Sequence, residues 1–168
     1  HRDLHSFPTR RSSDLYCNTV EKPSELILIG DGPERKMLEA IVIEQKLRRV
    51  KFLPFLSQEE LKDIYRKAGW FILPSLYGET WGNVVNEAMA SGLPVIVSNQ
   101  AGCASTLVNE GVNGFTFSPD DVKKFVGLLH RAGSMDMEKR LGMGRKSKEI
   151  ISEWGLDRFC QGAYEAIQ

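Results

Sequence analysis

Residues 77–97 read Tyr77-Gly-Glu-Thr-Trp-Gly-Asn-Val-Val-Asn-Glu-Ala-Met-Ala-Ser-Gly-Leu-Pro-Val-Ile-Val97. A glycine-containing turn opens a helix, the helix stops at Ser91-Gly92, and the apolar run Leu93 to Val97 follows as a strand. Two carboxylates, Glu79 and Glu87, flank the turn with seven residues between them. Backbone N–H groups at a helix start attract anions, and the aligned peptide dipoles add to that attraction. A carboxylate further along such a helix faces the same crevice, where it can accept hydrogen bonds from sugar hydroxyls. Phosphate-binding donors beside hydroxyl acceptors suit a nucleotide sugar.

Outward from this stretch, strands and helices alternate. Leu26 to Gly30 is a short apolar run ending in glycine, which predicts a strand buried on both faces. Asp31-Gly-Pro-Glu34 then turns the chain into a helix, with Pro33 in its first turn and Met37, Leu38, Ile41 and Val42 at helical spacing. Val50 to Leu53 is the next strand. Ser57-Gln-Glu-Glu60 has the form of a capping box, and the helix it starts carries Leu61, Ile64 and Tyr65. Trp70 to Leu73 and Pro94 to Val97 are further strands. Gly111-Val-Asn-Gly114 reads as a turn before Phe115-Thr-Phe117, and Ser118-Pro119-Asp120 starts a helix through Phe125, Val126, Leu128 and Leu129. From about Asp136 the chain looks helical, with a break near Trp154-Gly155.

This alternation implies an α/β fold: a Rossmann-like open parallel sheet with helices on both faces. Ligands in such sheets bind outside the carboxyl ends of the strands. Gly30-Asp31-Gly32, Pro74 through Gly82, and Ser98 through Gly102 all fall at that edge.

The totals narrow the function. At 168 residues the chain has the size of one domain with a real core, and no internal repeat is visible. Lys+Arg and Asp+Glu are both 22, which gives no general pull toward nucleic acid or an anionic membrane. No apolar run approaches the roughly 20 residues a membrane span needs. Cys17, Cys103 and Cys160 are widely spaced and fit reduced thiols in a cytoplasmic protein; with three scattered histidines they give no metal spacing. No metal site is expected.

His1 to Leu15 has neither helical nor strand periodicity and resembles the translation of a sequencing-adapter read. A basic arm and a targeting peptide are the alternatives. Residues 1–15 are therefore set outside the fold, leaving 16–168 as one domain cut at its N-terminus.

Six segments in order carry a family resemblance: Gly30-Asp-Gly-Pro-Glu34, Val50-Lys-Phe-Leu-Pro-Phe55, Ile72-Leu-Pro-Ser75, the Glu79/Glu87 pair, Glu87-Ala-Met-Ala-Ser-Gly-Leu-Pro-Val-Ile96 and Gly111-Val-Asn-Gly-Phe115. Over about residues 16 to 168 the chain resembles the C-terminal, nucleotide-sugar-binding half of a retaining GT-B glycosyltransferase of family 4 (group 1). That resemblance implies that Glu87 accepts hydrogen bonds from the ribose hydroxyls and that Glu79, the catalytic candidate, lies by the donor sugar. It implies that Trp81, Gly82, Asn83 and Val84 form the loop whose N–H groups meet the diphosphate or sugar. Gly30, Asp31, Gly32 and the segment up to Phe55 then resemble the walls of the base pocket. No metal or other cofactor is implied. The partners are a nucleotide diphosphate sugar and a sugar or lipid-linked acceptor, the latter bound mainly by an N-terminal domain that can bring membrane association.

The chain departs from the family pattern in two places. The family's first βα unit brings an Arg and a Lys to the leaving diphosphate; it would precede Tyr16, and Arg10 and Arg11 have no strand before them. A central strand is expected there, so the fragment alone is expected to be inactive. Many members of the family it resembles also read Gly-Gly-x-Pro-Glu where this chain has Ala101 to Leu107, with Thr106 at the acidic position.

Other readings stand beside these. Glu79 suits a helix N-terminus for electrostatic reasons alone. Gly30 and Gly32 suit the turn whatever binds nearby, Trp81 suits packing, and Asn83 suits a structural polar role. A nucleotide-sugar epimerase of the same fold and a non-catalytic nucleotide-binding module are the alternative functions.

Overall fold

The computed structural model describes residues 24–76, 79–155, 158 and 164–165. His1 to Leu15, and most of the stretch expected to be helical beyond Gly155, lie outside the described residues.

Among the described residues five parallel strands form two sheets. β1 (Leu26–Ile29) pairs with β2 (Val50–Leu53), Leu26 opposite Val50. β4 (Val95–Ser98) lies between β3 (Phe71–Leu73) and β5 (Gly114–Phe117), with Phe71 and Gly114 both opposite Val95. Among the described residues β1 and β3 are not paired with each other.

Helices fill the connections: α1 (Arg35–Glu44), α2 (Gln58–Lys67), α3 (Asn83–Ala90), α4 (Ala104–Leu107), α5 (Val122–Ser134) and α6 (Met137–Ser152). The strand alternation of two sorts the core into two layers. Val95 and Val97 face Val85 and Met89 of α3, Ala104 and Leu107 of α4, and Ile150 and Ile151 of α6. Ile96, Phe115 and Phe117 face Phe125, Leu128 and Ala132 of α5 and Met143 of α6. The Phe117 and Phe125 rings stack at 4.2 Å. A third cluster joins Leu61 and Tyr65 of α2 to Ala88 and Leu93, seating α2 against α3.

The capping box is formed as the sequence predicts: Glu60 N–H donates to Ser57 Oγ (3.3 Å) and Ser57 N–H to Glu60 Oε2 (2.8 Å). Ser57 Oγ also donates to Glu60 Oε2 (2.7 Å), and this bond first, then the one from Ser57 N–H, holds the Glu60 carboxyl below its usual range. α3 ends in a Schellman motif, Leu93 N–H donating to Ala88 O and Gly92 N–H to Met89 O around Gly92 at φ +84.

Three expectations need correction. β1 is half-buried, and Ile29 is exposed, so it is not buried on both faces; β2 is its one strand neighbour among the described residues. Pro33 precedes α1, because Arg35 N–H closes a turn onto Gly32 O and the N-cap is Glu34. α5 starts after Asp121, whose carboxylate accepts from Lys124 N–H at 2.9 Å. Val84 is exposed, whereas Val85, Ala88 and Met89 pack.

Candidate functional site

The carboxyl ends of the strands carry two groups of predicted residues. At the end of β1, Gly30 sits at φ +133, where an L side chain is strained, and its N–H donates to Leu53 O (3.1 Å). Arg35, which sequence reasoning missed, ties this corner together. Its Nη1 donates to Gly30 O (3.1 Å), Leu53 O (3.2 Å) and Asp31 Oδ1 (3.0 Å), while Nε donates to Glu39 Oε1 (2.8 Å). Its guanidinium pKa is raised by the hydrogen bond to Glu39 first, with the nearby charges adding. Asp31 and Gly32 are exposed, and nothing within 4 Å would meet a Cβ at Gly32. Phe55, past the end of β2, is 80% exposed.

The second group lies on the β3–α3 connection. Gly82 is the N-cap of α3 in the left-handed region, φ +103. A Cβ there would also lie 3.2 Å from both Cys103 Sγ and Leu73 Cδ2. The neighbouring loop locks on: Gly102 N–H donates to Glu79 O (3.1 Å) and Cys103 N–H to Trp81 O (3.0 Å). A Cβ at Gly102 would fall 2.0 Å from Thr80 O, so this approach needs glycine. The Trp81 side chain packs: its ring lies 5.5 Å from that of Trp154, and its Nε1 donates to Asn86 Oδ1 (3.2 Å).

Behind Gly82 the helix start is open. Val85 N–H turns back onto Gly82 O, while the N–H groups of exposed Asn83 and Val84 make no hydrogen bond among the described residues. Donors left in this way are the groups that meet anions at helix N-termini.

Glu87 lies one turn beyond Asn83, on the same face. Its Oε1 accepts from Gln58 Nε2 (3.3 Å) and its Oε2 from Tyr65 Oη (3.4 Å), both donors on α2. Burial, then the Glu87 charge, then that hydrogen bond push the Tyr65 phenol up to about 12. Burial also raises the Cys103 thiol, and the Glu79 charge adds to it.

Glu79, Trp81, Gly82, Asn83, Val84 and Glu87 thus share one turn-and-helix unit, pinned by residues 101–103. Gly30, Asp31 and Gly32 belong to the β1–β2 corner, which among the described residues makes no hydrogen bond to that unit. The link between them is Gln58, three residues past Phe55, which reaches Glu87. Gln58 and Tyr65 left no local sequence signal beyond helical spacing, since their partner lies 29 and 22 residues away. Among the described residues no group of three or more His, Cys, Asp or Glu is placed to hold a metal ion, and no helix is long and apolar enough to cross a membrane.

The parallel α/β arrangement is that of a domain of the GT-B fold. The family model described as "Glycosyl transferases group 1" matches residues 16–150, and the chain belongs to that family. It is 34% identical over 148 residues to a sulfoquinovosyl transferase of Arabidopsis thaliana, covering 86% of this chain and 28% of that protein. It is 36% identical over 100 residues to a GDP-mannose-dependent alpha-mannosyltransferase of Corynebacterium glutamicum, covering 60% and 22%. The chain therefore spans less than a third of each of these relatives.

The crystal structure of HepE from Anabaena in complex with UDP-glucose superposes with a TM-score of 0.77 at 25% identity, over 94% of this chain and 44% of that one. The C-terminal domain of a glycosyl transferase group 1 family protein from Francisella tularensis superposes at 0.74 with 20% identity, over 87% and 76%, a likeness of fold.

Proposed function

We propose that this chain binds a nucleotide diphosphate sugar, and that the protein it belongs to transfers the sugar to an acceptor with retention at the anomeric carbon. The observation that carries this reading is the Gly82-started helix, with N–H groups at Asn83 and Val84 that make no hydrogen bond among the described residues, and Glu87 one turn further on the same face. In this reading those donors and the dipole of α3 meet the diphosphate, where charge develops as the glycosidic bond breaks. No metal ion is assigned to that task.

Glu79 orients the donor sugar, Glu87 accepts from the ribose hydroxyls, and Gly30, Asp31, Gly32 and Phe55 flank the base. Fixing ribose and sugar before reaction lowers the entropic part of the barrier. With no second carboxylate assigned to attack the anomeric carbon, same-face substitution through an oxocarbenium-like state fits better than double displacement. The acceptor, a sugar or a lipid-linked sugar, is met mainly by another part of the protein. The UDP-glucose bound by the Anabaena relative supports the donor class. We place the reaction in the cytoplasm, with any membrane association carried by the acceptor half.

The test is Glu87→Gln in the full protein, with UDP, GDP and ADP titrated calorimetrically. The expected loss is about 1–3 kcal/mol of binding free energy for the preferred nucleotide, the scale of a hydrogen bond to a charged group. Unchanged affinity rejects the ribose assignment.

A further inference from the structure

The Glu87 carboxylate is held from one side before any ligand arrives. α2 presents Gln58 and Tyr65, seven residues apart and so on one helix face, to its two different oxygens. The two donors differ in kind. Gln58 is an exposed side chain in the first turn of α2. Tyr65 is buried, with its ring edge-on to Phe71 at 6.0 Å, and Glu87 is the one hydrogen-bond partner of its hydroxyl among the described residues.

A carboxylate offers about four lone-pair sites over its two oxygens. One on each is used by α2, which leaves one on each for a vicinal pair of hydroxyls. A free glutamate side chain would have to give up rotamer freedom on meeting such a pair, whereas one gripped at both oxygens has already done so.

We infer that Tyr65, seconded by Gln58, is a positioning residue that orients the Glu87 carboxylate toward the ribose 2′,3′-diol and so sets a preference for ribonucleoside over 2′,3′-dideoxynucleoside diphosphates. The inference rests on the assignment of Glu87 to the ribose. Tyr65 touches no reacting atom and acts through Glu87. At its ordinary pKa of about 10 as at the raised value of about 12, the phenol is protonated, and therefore donating, at neutral pH.

A purely structural account is that Glu87 merely satisfies a buried phenol. The two accounts predict different binding constants. The full protein is titrated with UDP, GDP and ADP, and then with the 2′,3′-dideoxy counterpart of whichever binds most tightly. Tyr65→Phe keeps the ring against Phe71 and removes only the hydroxyl. It should weaken the ribonucleotide about three- to tenfold, the span of one ordinary hydrogen bond, and leave the dideoxynucleotide unchanged.

Wild-type preference for the ribonucleotide, combined with an equal or absent effect of Tyr65→Phe on both nucleotides, overturns the positioning role and leaves the Glu87 assignment standing. No wild-type preference between the two, or no binding of any of the three, overturns the ribose assignment and this inference with it. Should Tyr65→Phe fail to fold, Gln58→Ala, at an exposed position, should show the same split at about twofold; equal effects on both nucleotides count against the role there too.

Discussion

β1 and β4 have much the same apolar sequence, Leu-Ile-Leu-Ile against Val-Ile-Val-Ser, yet Ile96 of β4 is 0% exposed and Ile29 of β1 is 38% exposed. The difference lies in what surrounds them. β4 has a strand on each side and helices over both faces, whereas β1 has one strand neighbour among the described residues. Burial is thus a property of the layers, and a local run of apolar residues does not fix it. The site is divided along the same line. Glu79, Gly82 and Glu87 hang on the covered half, and Gly30 to Gly32 on the lightly covered one, so the proposed diphosphate and ribose contacts rest on the firmer platform.

The largest effect should come from truncating the same residue type in each half. Ile96→Ala leaves a cavity between β4 and α5 and should cost about 2–5 kcal/mol, the range for large-to-small changes in a closed core. Ile29→Ala should cost less than about half of that, because solvent already reaches the side chain. Urea denaturation of both variants measures the difference. Equal costs would mean that β1 is as well covered as β4, and the contrast between the halves would fall.

The sequence showed what depends on neighbours close along the chain. Ser57-Gln-Glu-Glu60 specifies both hydrogen bonds of its cap, and Ser91-Gly92 specifies the left-handed stop of α3. Gly82 was legible as the turn before that helix for the same reason. Long-range partners were not legible. Tyr65 reads as one more apolar position of α2, and nothing within seven residues of it marks Glu87 as its acceptor. Arg35 gave no warning that it binds Leu53 O across the β1–β2 corner. Asn113 looks like a turn residue in Gly-Val-Asn-Gly but is fully buried. Its Nδ2 donates to Leu107 O (2.9 Å) and its Oδ1 accepts from Asn109 N–H (2.7 Å).

Glycine sharpens the comparison at the next scale. Gly144 of α6 crosses the end of α3 so closely that an added Cβ would lie 2.0 Å from Gly92 O. Backbone cannot step aside as a flexible side chain can, so Gly144→Ala should cost roughly 1–3 kcal/mol despite alanine's better helix propensity. Gly32→Ala places its methyl in open space at an unstrained φ and should change stability by less than about 0.5 kcal/mol. Thermal melting distinguishes them. A tolerated Gly144→Ala would show that α6 can move off the β4 half, which the packing of Met143 and Ile150 argues against.

The smallest effect concerns the joint between the halves, where α2 follows β2 and reaches α3 through Tyr65 and Glu87. The phenol of folded Tyr65 is pushed up to about 12, against about 10 for an unfolded tyrosine. The folded state therefore holds this proton longer than the unfolded one. The contribution is fully present below pH 10 and is lost as pH rises from 10 to 12. The quantity to measure is wild-type stability minus that of Tyr65→Phe, by urea denaturation between pH 9 and 11.5, since the difference cancels the pH dependence of the rest of the chain. That difference should be flat up to about pH 10 and then fall, with a slope below the one-proton limit of about 1.4 kcal/mol per pH unit. A flat difference throughout would mean that the Tyr65–Glu87 hydrogen bond does not hold the joint. The firm half would then carry Glu87 without help from α2.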